Sequence, residues 1–114
     1  MSDCLFCEIV AHRVPASFVT EEEHAVAIRD INPQAPTHVL VMPREHITSA
    51  DALTPEHDEL WAALLRLVQR IARDEDIAGR GYRVVANVGS MGGQTVDHLH
   101  LHVLGGRQMT WPPG

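Results

Sequence analysis

The chain has 114 residues, of which 45% are hydrophobic, so it is long enough for one domain with its own core and too short for two. Its formal net charge of −6 argues against binding to nucleic acid or to an anionic membrane surface, which both require a clustered basic patch. No stretch approaches the roughly 18 apolar residues of a membrane span and the N-terminus lacks the features of an export signal, so we expect a cytoplasmic protein.

The first part of the chain predicts a short helix followed by three strands. Apolar residues in "DCLFCEIVAHRVP" (residues 3–15) are spaced for a short helix that ends before the proline. Two short strands are predicted about the polar turn Glu21–Glu23, the second covering about Ala25–Asp30. "PTHVLVMP" (residues 36–43) is β-branched, apolar and bounded by prolines, which predicts a buried strand with His38 at its start.

The clearest helical pattern covers residues 55–78. Thr54 suits the N-cap and Pro55 the first helical position, and the acidic residues of the first turn favour the positive end of the helix dipole. Gly79 and Gly81 are expected to end the helix. One apolar stripe has the helical period and predicts the face that covers a sheet: Leu60, Leu64, Leu67, Val68 and Ile71.

Two further strands are predicted after this helix, at residues 82–88 and 98–104. A glycine-containing loop joins them, and residues 105–114 form a C-terminal tail. Because strands outnumber helices and mostly follow one another along the chain, the pattern predicts a single antiparallel α+β domain over residues 1–114.

The segment "HLHLHV" (residues 98–103) alternates three histidines with aliphatic residues. As a strand, it places the three rings on one face and the aliphatic side chains on the other. His98 and His102 then lie about 13 Å apart at about 3.3 Å per residue, so one metal ion shared by all three rings is strained. The spacing therefore favours separate roles along the strand, or a hydrogen-bonded polar face.

The chain holds eight histidines, an excess for its length. His12, His24 and His57 lie in polar contexts and are expected to be solvated. The others lie in or beside apolar strands, where an imidazole needs polar partners: His38, His46, His98, His100 and His102.

Cys4 and Cys7 form a C-x-x-C pair. In a reducing compartment such a pair suggests metal or redox chemistry more than a structural disulfide. The pair alone is a weak indication of zinc, because zinc takes four ligands.

These motifs resemble the histidine triad family, whose signature alternates histidine with apolar residues as in "HLHLHVL". The resemblance covers nearly the whole chain, through "CLFCEIV", "DINPQAPTHVLVMPREHI" and "GYRVVANVGSMGGQTVDHLHLHVLGGRQMTWPPG", and is close to the Hint branch, the purine nucleoside phosphoramidases. It implies a five-stranded antiparallel sheet with one long and one short helix, and two such sheets joined across a homodimer. It also implies that the tail reaches toward the partner's site, whereas composition alone makes Trp111 a packing residue.

The resemblance implies a division of labour among the histidines. His100 would be the nucleophile that attacks the α-phosphorus of a nucleoside monophosphate amide or ester and forms a nucleotidyl-histidine, a role suited to a neutral imidazole. His102 would contact the phosphate and the leaving group and protonate the departing amine, with His38 as a relay behind it.

The loop before the triad is expected to bind the phosphate. Glycines in "GSMGGQT" allow close backbone approach, so the amides around Gly93, Gln94 and Thr95 can bind phosphate oxygens, although such loops are often only turns. The family has a serine at the position of Thr95. Asn87 matches the family's asparagine beside the phosphate and can donate from its amide.

The resemblance also places the nucleoside. Asp30 matches the carboxylate that accepts both ribose hydroxyls, while its alternative role is a turn residue before Asn32. The purine would lie in an apolar slot formed by Ile31, Phe6 and Ile9.

For zinc, the resemblance supplies the two missing ligands. His46, in "PREH", and His98 would join Cys4 and Cys7 in a closed Cys₂His₂ site of structural type. Without zinc, the cysteines would be packing residues or a redox-sensitive pair.

Two positions depart from the family pattern: Asp97 replaces an aromatic residue, and Met91 a small polar one. The resemblance as a whole implies a hydrolase that cleaves the P–N bond of purine nucleoside phosphoramidates and binds the resulting nucleoside monophosphate. The alternatives are a nucleotide-binding regulator or scaffold with vestigial hydrolysis, and a dinucleoside polyphosphate hydrolase.

Overall fold

Five antiparallel strands form one sheet in the computed structural model, which describes residues 3–114. The order across the sheet is β1-β2-β3-β5-β4, so the last strand lies between the third and the fourth. The predicted antiparallel α+β architecture is confirmed, while residues 1 and 2 of the predicted domain lie outside the described residues. The strands are Phe18–Glu21 (β1), Ala25–Arg29 (β2), Thr37–Pro43 (β3), Tyr82–Val85 (β4) and Leu101–Gly105 (β5).

One helix lies on each face of the sheet. The short helix α1 spans Leu5–Val10, and the long helix α2 spans Asp58–Asp74. Short 3-10 turns at Ala50–Ala52 and Pro55–His57 lead into α2. Over residues 3–114, neither helix has both the length and the apolar character that crossing a membrane requires.

The larger core lies between α2 and the sheet. The predicted apolar stripe of α2 faces inward, with Leu64, Leu67, Val68 and Ile71 buried and Leu60 partly buried against them. Burial of each such side chain contributes about 1.5–3 kcal/mol to the hydrophobic stabilisation of the fold. The stripe packs on alternate residues of β3 and β5, which are Val39, Val41, Leu101 and Val103.

A second core lies on the opposite face, under α1. Phe6 and Ile9 of α1 pack there on Leu40 and on the neighbouring residues of β2 and β3. His102 lies directly opposite Leu40 in the β3–β5 ladder, and cross-strand partners point to the same face of a sheet. The histidine face therefore lies on the same side of the sheet as α1 and its cysteines.

The helix α2 ends at Asp74, before the predicted residue 78, so the prediction that glycines end it was wrong. Asp76 takes a positive φ of 59°, which aspartate tolerates better than most residues. Its N–H donates to the Arg73 carbonyl (3.1 Å), and the N–H of the buried Ile77 donates to the Ala72 carbonyl (3.0 Å). These two bonds form a Schellman motif, which satisfies the last carbonyls of the helix.

Two strands are shorter than predicted. The fourth ends at Val85 instead of residue 88, and the fifth begins at Leu101 instead of residue 98. His98 and His100 therefore precede the strand that was predicted to hold them. The alternation nevertheless persists, because Leu99 joins the core under α2 while both histidines contact Phe6 on the other face.

Candidate active site and metal site

His100 is held in one tautomer by a backbone carbonyl. Its Nδ1 atom lies 2.7 Å from the carbonyl oxygen of His98, and its ring makes a T-shaped contact with Phe6 at 5.0 Å between ring centroids. A carbonyl oxygen only accepts, so Nδ1 carries the proton and donates. The neutral ring then keeps its lone pair on Nε2, which is the arrangement a nitrogen nucleophile needs.

A chain of hydrogen bonds fixes the proton positions of His38 and His102. The backbone N–H of Gln34 donates to Nδ1 of His38 (3.0 Å), so a neutral His38 carries its proton on Nε2. That nitrogen lies 2.9 Å from Nδ1 of His102 and 3.3 Å from Oδ2 of Asp30. His102 accepts at Nδ1 and therefore carries its own proton on Nε2.

The neutral state of both rings follows from their surroundings. Burial, together with the neighbouring His100 and His38, lowers the pKa of His102 to about 4. Burial also lowers the pKa of His38, and the nearby Asp30 carboxylate opposes this only in part. Both rings are thus neutral near pH 7, as the chain of hydrogen bonds requires.

A second cluster joins α1 to the segment before β5. The ligand atoms of Cys4, Cys7, His46 and His98 all lie within 4.8 Å of one another. The Sγ atom of Cys4 is 3.3 Å from Nδ1 of His98, and the Sγ atom of Cys7 is 3.3 Å from Nδ1 of His46. Cys4 is the N-cap of α1, and the N–H of Cys7 donates to its Sγ atom (3.3 Å).

The donor set of this cluster fits zinc. The Nε2 atom of the buried His98 donates to the Pro43 carbonyl oxygen at 2.8 Å, so the lone pair on Nδ1 faces the cysteines. A backbone carbonyl on the far nitrogen is the usual support of a metal-ligating histidine. Burial lowers the pKa of His98, which also favours the neutral ligand form. Two cysteine sulfurs and two imidazoles would supply the four ligands that a structural zinc site takes.

One potential ligand atom each of Asp30, His38 and His102 also lies within 4.8 Å of the others. The position of the proton on His38, however, argues against a metal there. The nitrogen of His38 that faces the other two residues is the protonated Nε2, because an amide donates to Nδ1. A protonated nitrogen offers no lone pair to an ion. One cluster is thus suited to a metal and the other to proton donation.

The predicted nucleoside-binding residues lie at different depths. Asp30 is beside His38, and its Oδ1 accepts the Asn32 N–H at 2.8 Å, so the carboxylate also forms the turn that the sequence offered as an alternative. Phe6 and Ile9 are buried in the core under α1, on the same side of the sheet as the histidines. Ile31 is 100% exposed, so any contact it makes with a purine lies at the protein surface.

The glycine loop uses its own amides. The N–H of Gly93 donates to the Ser90 carbonyl (3.1 Å), and the N–H of Gln94 donates to the Gly89 carbonyl (3.0 Å). These two amides therefore close the loop, and their contact with a phosphate stays a prediction. Thr95, which is exposed, and Asn87, half-buried just after β4, are the remaining predicted phosphate donors.

The side chain of Gln94 holds the loop in place. Its Nε2 donates to the carbonyls of Thr48 (2.7 Å) and Val96 (3.0 Å), and its Oε1 accepts from the N–H of Gly89 (3.0 Å). Gly92 is required at its position, because a Cβ there would lie 2.2 Å from the carbonyl oxygen of Val88. These bonds tie the loop before Thr95 to Thr48 and Val96.

The histidines expected to be solvated behave differently from one another. His12 and His24 are exposed, as predicted. His57 is half-buried and accepts the Thr54 N–H at 3.0 Å, so it caps the turn that leads into α2 and is not simply solvated.

The two positions that depart from the family pattern are both exposed. Asp97 lines an open cavity together with His46 and Thr95, beside the cluster of two cysteines and two histidines that fits zinc. Met91 is at the loop surface.

Three backbone groups that orient the histidines could not be predicted from the sequence. They are the carbonyls of Pro43 and His98 and the amide of Gln34. Every residue but proline carries the same N–H, and every residue the same carbonyl, so only the tertiary contacts reveal these roles.

Comparison with known proteins agrees with this geometry. The HIT domain family matches residues 11–109, which include His38, His46 and the three histidines of the triad. The chain belongs to the HIT family. The matched region begins after Cys4 and Cys7, so the two cysteines of the cluster that fits zinc lie outside it.

Relatives within the HIT family cover nearly the whole chain. A crystal structure of a HIT family hydrolase from Legionella pneumophila superimposes with a TM-score of 0.97 at 49% identity, covering 98% of this chain and 100% of that one. An uncharacterized HIT-like protein of Synechococcus elongatus is 46% identical over 98% of this chain and 97% of its own length. A 14 kDa zinc-binding protein of Zea mays is 44% identical over 99% of this chain and 89% of its own.

Proposed function

We propose that this HIT protein hydrolyses the P–N bond of purine nucleoside phosphoramidates and releases a nucleoside monophosphate and an amine. The observation that carries the proposal is the fixed tautomer of His100, whose Nδ1–H is bonded to the His98 carbonyl and whose Nε2 is left as a nucleophile. The structural relative from Legionella is named a hydrolase, which supports a hydrolytic reaction in general.

In the first step, Nε2 of His100 attacks the α-phosphorus, and a P–N bond to the ring forms as the P–N bond to the amine breaks. The leaving nitrogen takes a proton from Nε2 of His102, whose ring centroid lies 5.0 Å from that of His100. In the second step water attacks the phosphorus and returns a proton to His102, which frees His100 and the monophosphate. His38 supports His102 throughout by its hydrogen bond to Nδ1, and serves as the relay for protons.

The remaining residues bind the substrate. Asn87 and the hydroxyl of Thr95 donate to the phosphate oxygens, beside Gly93 and Gln94, which shape the loop. Asp30 accepts the ribose hydroxyls, since charge-assisted hydrogen bonds to a carboxylate are strong. The purine lies against Ile31, with Phe6 and Ile9 beneath.

Cys4, Cys7, His46 and His98 would hold a zinc ion. Four protein ligands leave no open position, so the ion would supply a structural crosslink between α1 and the triad segment. The maize relative is named a zinc-binding protein.

The protein acts as a homodimer in this proposal, with the sheets joined along β4. The strand β4 is at one edge of the sheet and exposes Val84 (41%), while Trp111 of the tail is 82% exposed. The opposite edge strand β1 has a register shift between Phe18 and Thr20, an irregularity typical of edges that avoid pairing.

The experiment is turnover of a fluorogenic adenosine phosphoramidate by the wild type and by His100→Ala. We expect turnover by the wild type and a loss of at least about a thousandfold in the variant, because the nucleophile is removed. Equal rates would refute the role of His100. Tight nucleotide binding without turnover by the wild type would favour a regulatory protein, and faster cleavage of diadenosine polyphosphates would favour that alternative substrate.

A further inference from the structure

A cavity of about 680 Å³ lies at the end of the sheet where β4 begins and β5 ends. It is lined by residues 76–77, 80–84 and 106–109, which are separate from the histidine site and from the cluster that fits zinc. Three of the lining residues are arginines: Arg80, Arg83 and Arg107. We propose that this cavity binds a small molecule that carries a phosphate group, and that it does so independently of the proposed reaction.

The charge of the cavity contrasts with that of the whole chain. The chain has a formal net charge of −6, whereas the cavity is lined by three arginines and by one acidic residue, Asp76. Other arginines of the protein form ion pairs with glutamates: Arg13, Arg29, Arg44 and Arg70. Over residues 3–114, none of the three cavity arginines forms such a pair. The cavity is therefore a positively charged region on an acidic protein, and such a region attracts anions.

Main-chain carbonyls hold two of the arginines without neutralising their charge. The Nη2 atom of Arg83 donates to the Thr110 carbonyl at 2.8 Å. The Nε atom of Arg107 donates to the Gln34 carbonyl at 2.9 Å, and its Nη1 atom to the Gln108 carbonyl at 3.1 Å. A guanidinium group carries five N–H donors, so both side chains keep donors for a ligand. Because the two side chains are already held in the free protein, binding costs less conformational entropy.

The lining of the cavity favours a phosphate that is joined to an apolar group. Guanidinium groups bind phosphate oxygens through paired hydrogen bonds. A phosphate monoester carries a charge of about −1.5 to −2 near pH 7, which matches three arginines beside one carboxylate better than a single carboxylate ligand does. Tyr82, Val84 and Met109 also line the cavity and can contact an apolar or aromatic body. The volume lies within the range of roughly 300–1,000 Å³ that is usual for small-molecule sites.

The proposed pairing of two copies along β4 uses different groups. Tyr82 and Gly105 form the last pair of the β4–β5 ladder at this end of the sheet, and Arg80 and Arg107 lie beyond that pair. Two edge strands pair through their main-chain N–H and carbonyl groups. The cavity instead offers side-chain N–H groups, so a ligand and a second copy do not compete for the same donors.

The test is titration of the ¹⁵N-labelled protein with phenyl phosphate, followed by NMR. The amides of Gly81 and Gly106 report on the cavity, and the amide of Gly93 reports on the loop of the proposed active site. The variant Arg80→Gln removes one guanidinium group from an exposed side chain that makes no ion pair over residues 3–114. The matched control is Arg66→Gln, the same change at an exposed arginine of α2 outside the cavity.

We expect the Gly81 and Gly106 signals of the wild type to shift with a Kd of about 1 mM or lower. Arg80→Gln should raise this Kd by about tenfold, because a charge-assisted hydrogen bond is lost. Arg66→Gln should stay within about twofold of the wild type, since solvent and salt screen a charge outside the cavity. Inorganic phosphate should bind more weakly than phenyl phosphate, because it buries no apolar surface.

Three results would overturn the inference. Shifts confined to Gly93 and its neighbours would place the ligand at the proposed active site. Equal weakening in Arg80→Gln and Arg66→Gln would show that only the overall charge of the protein matters. Benzoate that binds as tightly as phenyl phosphate would show that the cavity does not select phosphate. Turnover of the phosphoramidate by Arg80→Gln is measured separately and should equal that of the wild type, so failure of the proposed function leaves the outcome at the cavity unaffected.

Discussion

The Nε2 atom of His38 lies 2.9 Å from the Nδ1 atom of His102, between two neighbouring antiparallel strands. The amide of Gln34 sets the direction of this bond, because it donates to the other nitrogen of His38. His102 therefore presents an N–H on its free side, where a leaving group can receive a proton.

Removal of the His38 donor should slow the release of amines. We expect His38→Leu to lower kcat for an amine leaving group by about a hundredfold, the usual contribution of a general acid. His38→Gln should retain more activity, since its side-chain amide can donate from near the position of Nε2. The measurement is kcat of the wild type and of each His38 variant on two substrates, one with an amine leaving group and one whose leaving group departs without being protonated. An equal loss for both leaving groups would show that His38 does not act through protonation.

Asp30 should determine the preference for ribose. In Asp30→Ala we expect the ratio of kcat/KM for adenosine over 2′-deoxyadenosine phosphoramidate to fall by about tenfold or more, because a hydrogen bond to a carboxylate is lost. Asp30 also contacts His38, but that contact affects both substrates equally and cancels in the ratio. An unchanged ratio would assign Asp30 only to the turn and to His38.

The stability of the fold should decrease in acid. The pKa of His102 is lowered to about 4 from an ordinary value of 6.5, mainly by burial. Between these values the unfolded chain binds more protons than the folded one, so the free energy of unfolding falls as the pH decreases from 6.5 toward 4. Above pH 6.5 this group is neutral in both states and contributes no pH dependence.

The measurement is urea denaturation at pH 7.5 and pH 5. We expect a lower free energy of unfolding at pH 5 for the wild type and a smaller difference for His102→Asn. The buried His38 contributes in the same direction, so part of the difference should remain. A difference as large in His102→Asn as in the wild type would contradict the assignment to His102.

Pairing of two copies along β4 should be sensitive to charge at that edge. Val84→Lys places like charges opposite each other across a symmetric interface, so sedimentation velocity should show a monomer where the wild type is a dimer. Thr20→Lys, on the opposite edge strand, is the matched control and should stay dimeric. A dimeric Val84→Lys protein with a wild-type melting temperature would place the interface elsewhere.

Local patterns in the sequence determined the element types and their buried faces. The apolar stripe of α2 and the alternation of Leu99, Leu101 and Val103 with the histidines both identified the correct core side, because side-chain direction depends only on the local backbone period. The alternation did not show where β5 begins, since a strand's ends depend on hydrogen bonds to a neighbour that is distant in the chain.

Only the tertiary structure distinguished the hydrogen-bond partners of the three triad histidines. The alternation of "HLHLHV" makes its three rings equivalent, whereas in the folded protein their partners differ: cysteines far away in the chain for His98, a backbone carbonyl for His100, and His38 for His102. These partners are brought together by the placement of β5 beside β3 and of α1 over the same face. A proton's position on an imidazole is set by such contacts, and contacts between distant segments are a property of packing that local sequence period does not encode.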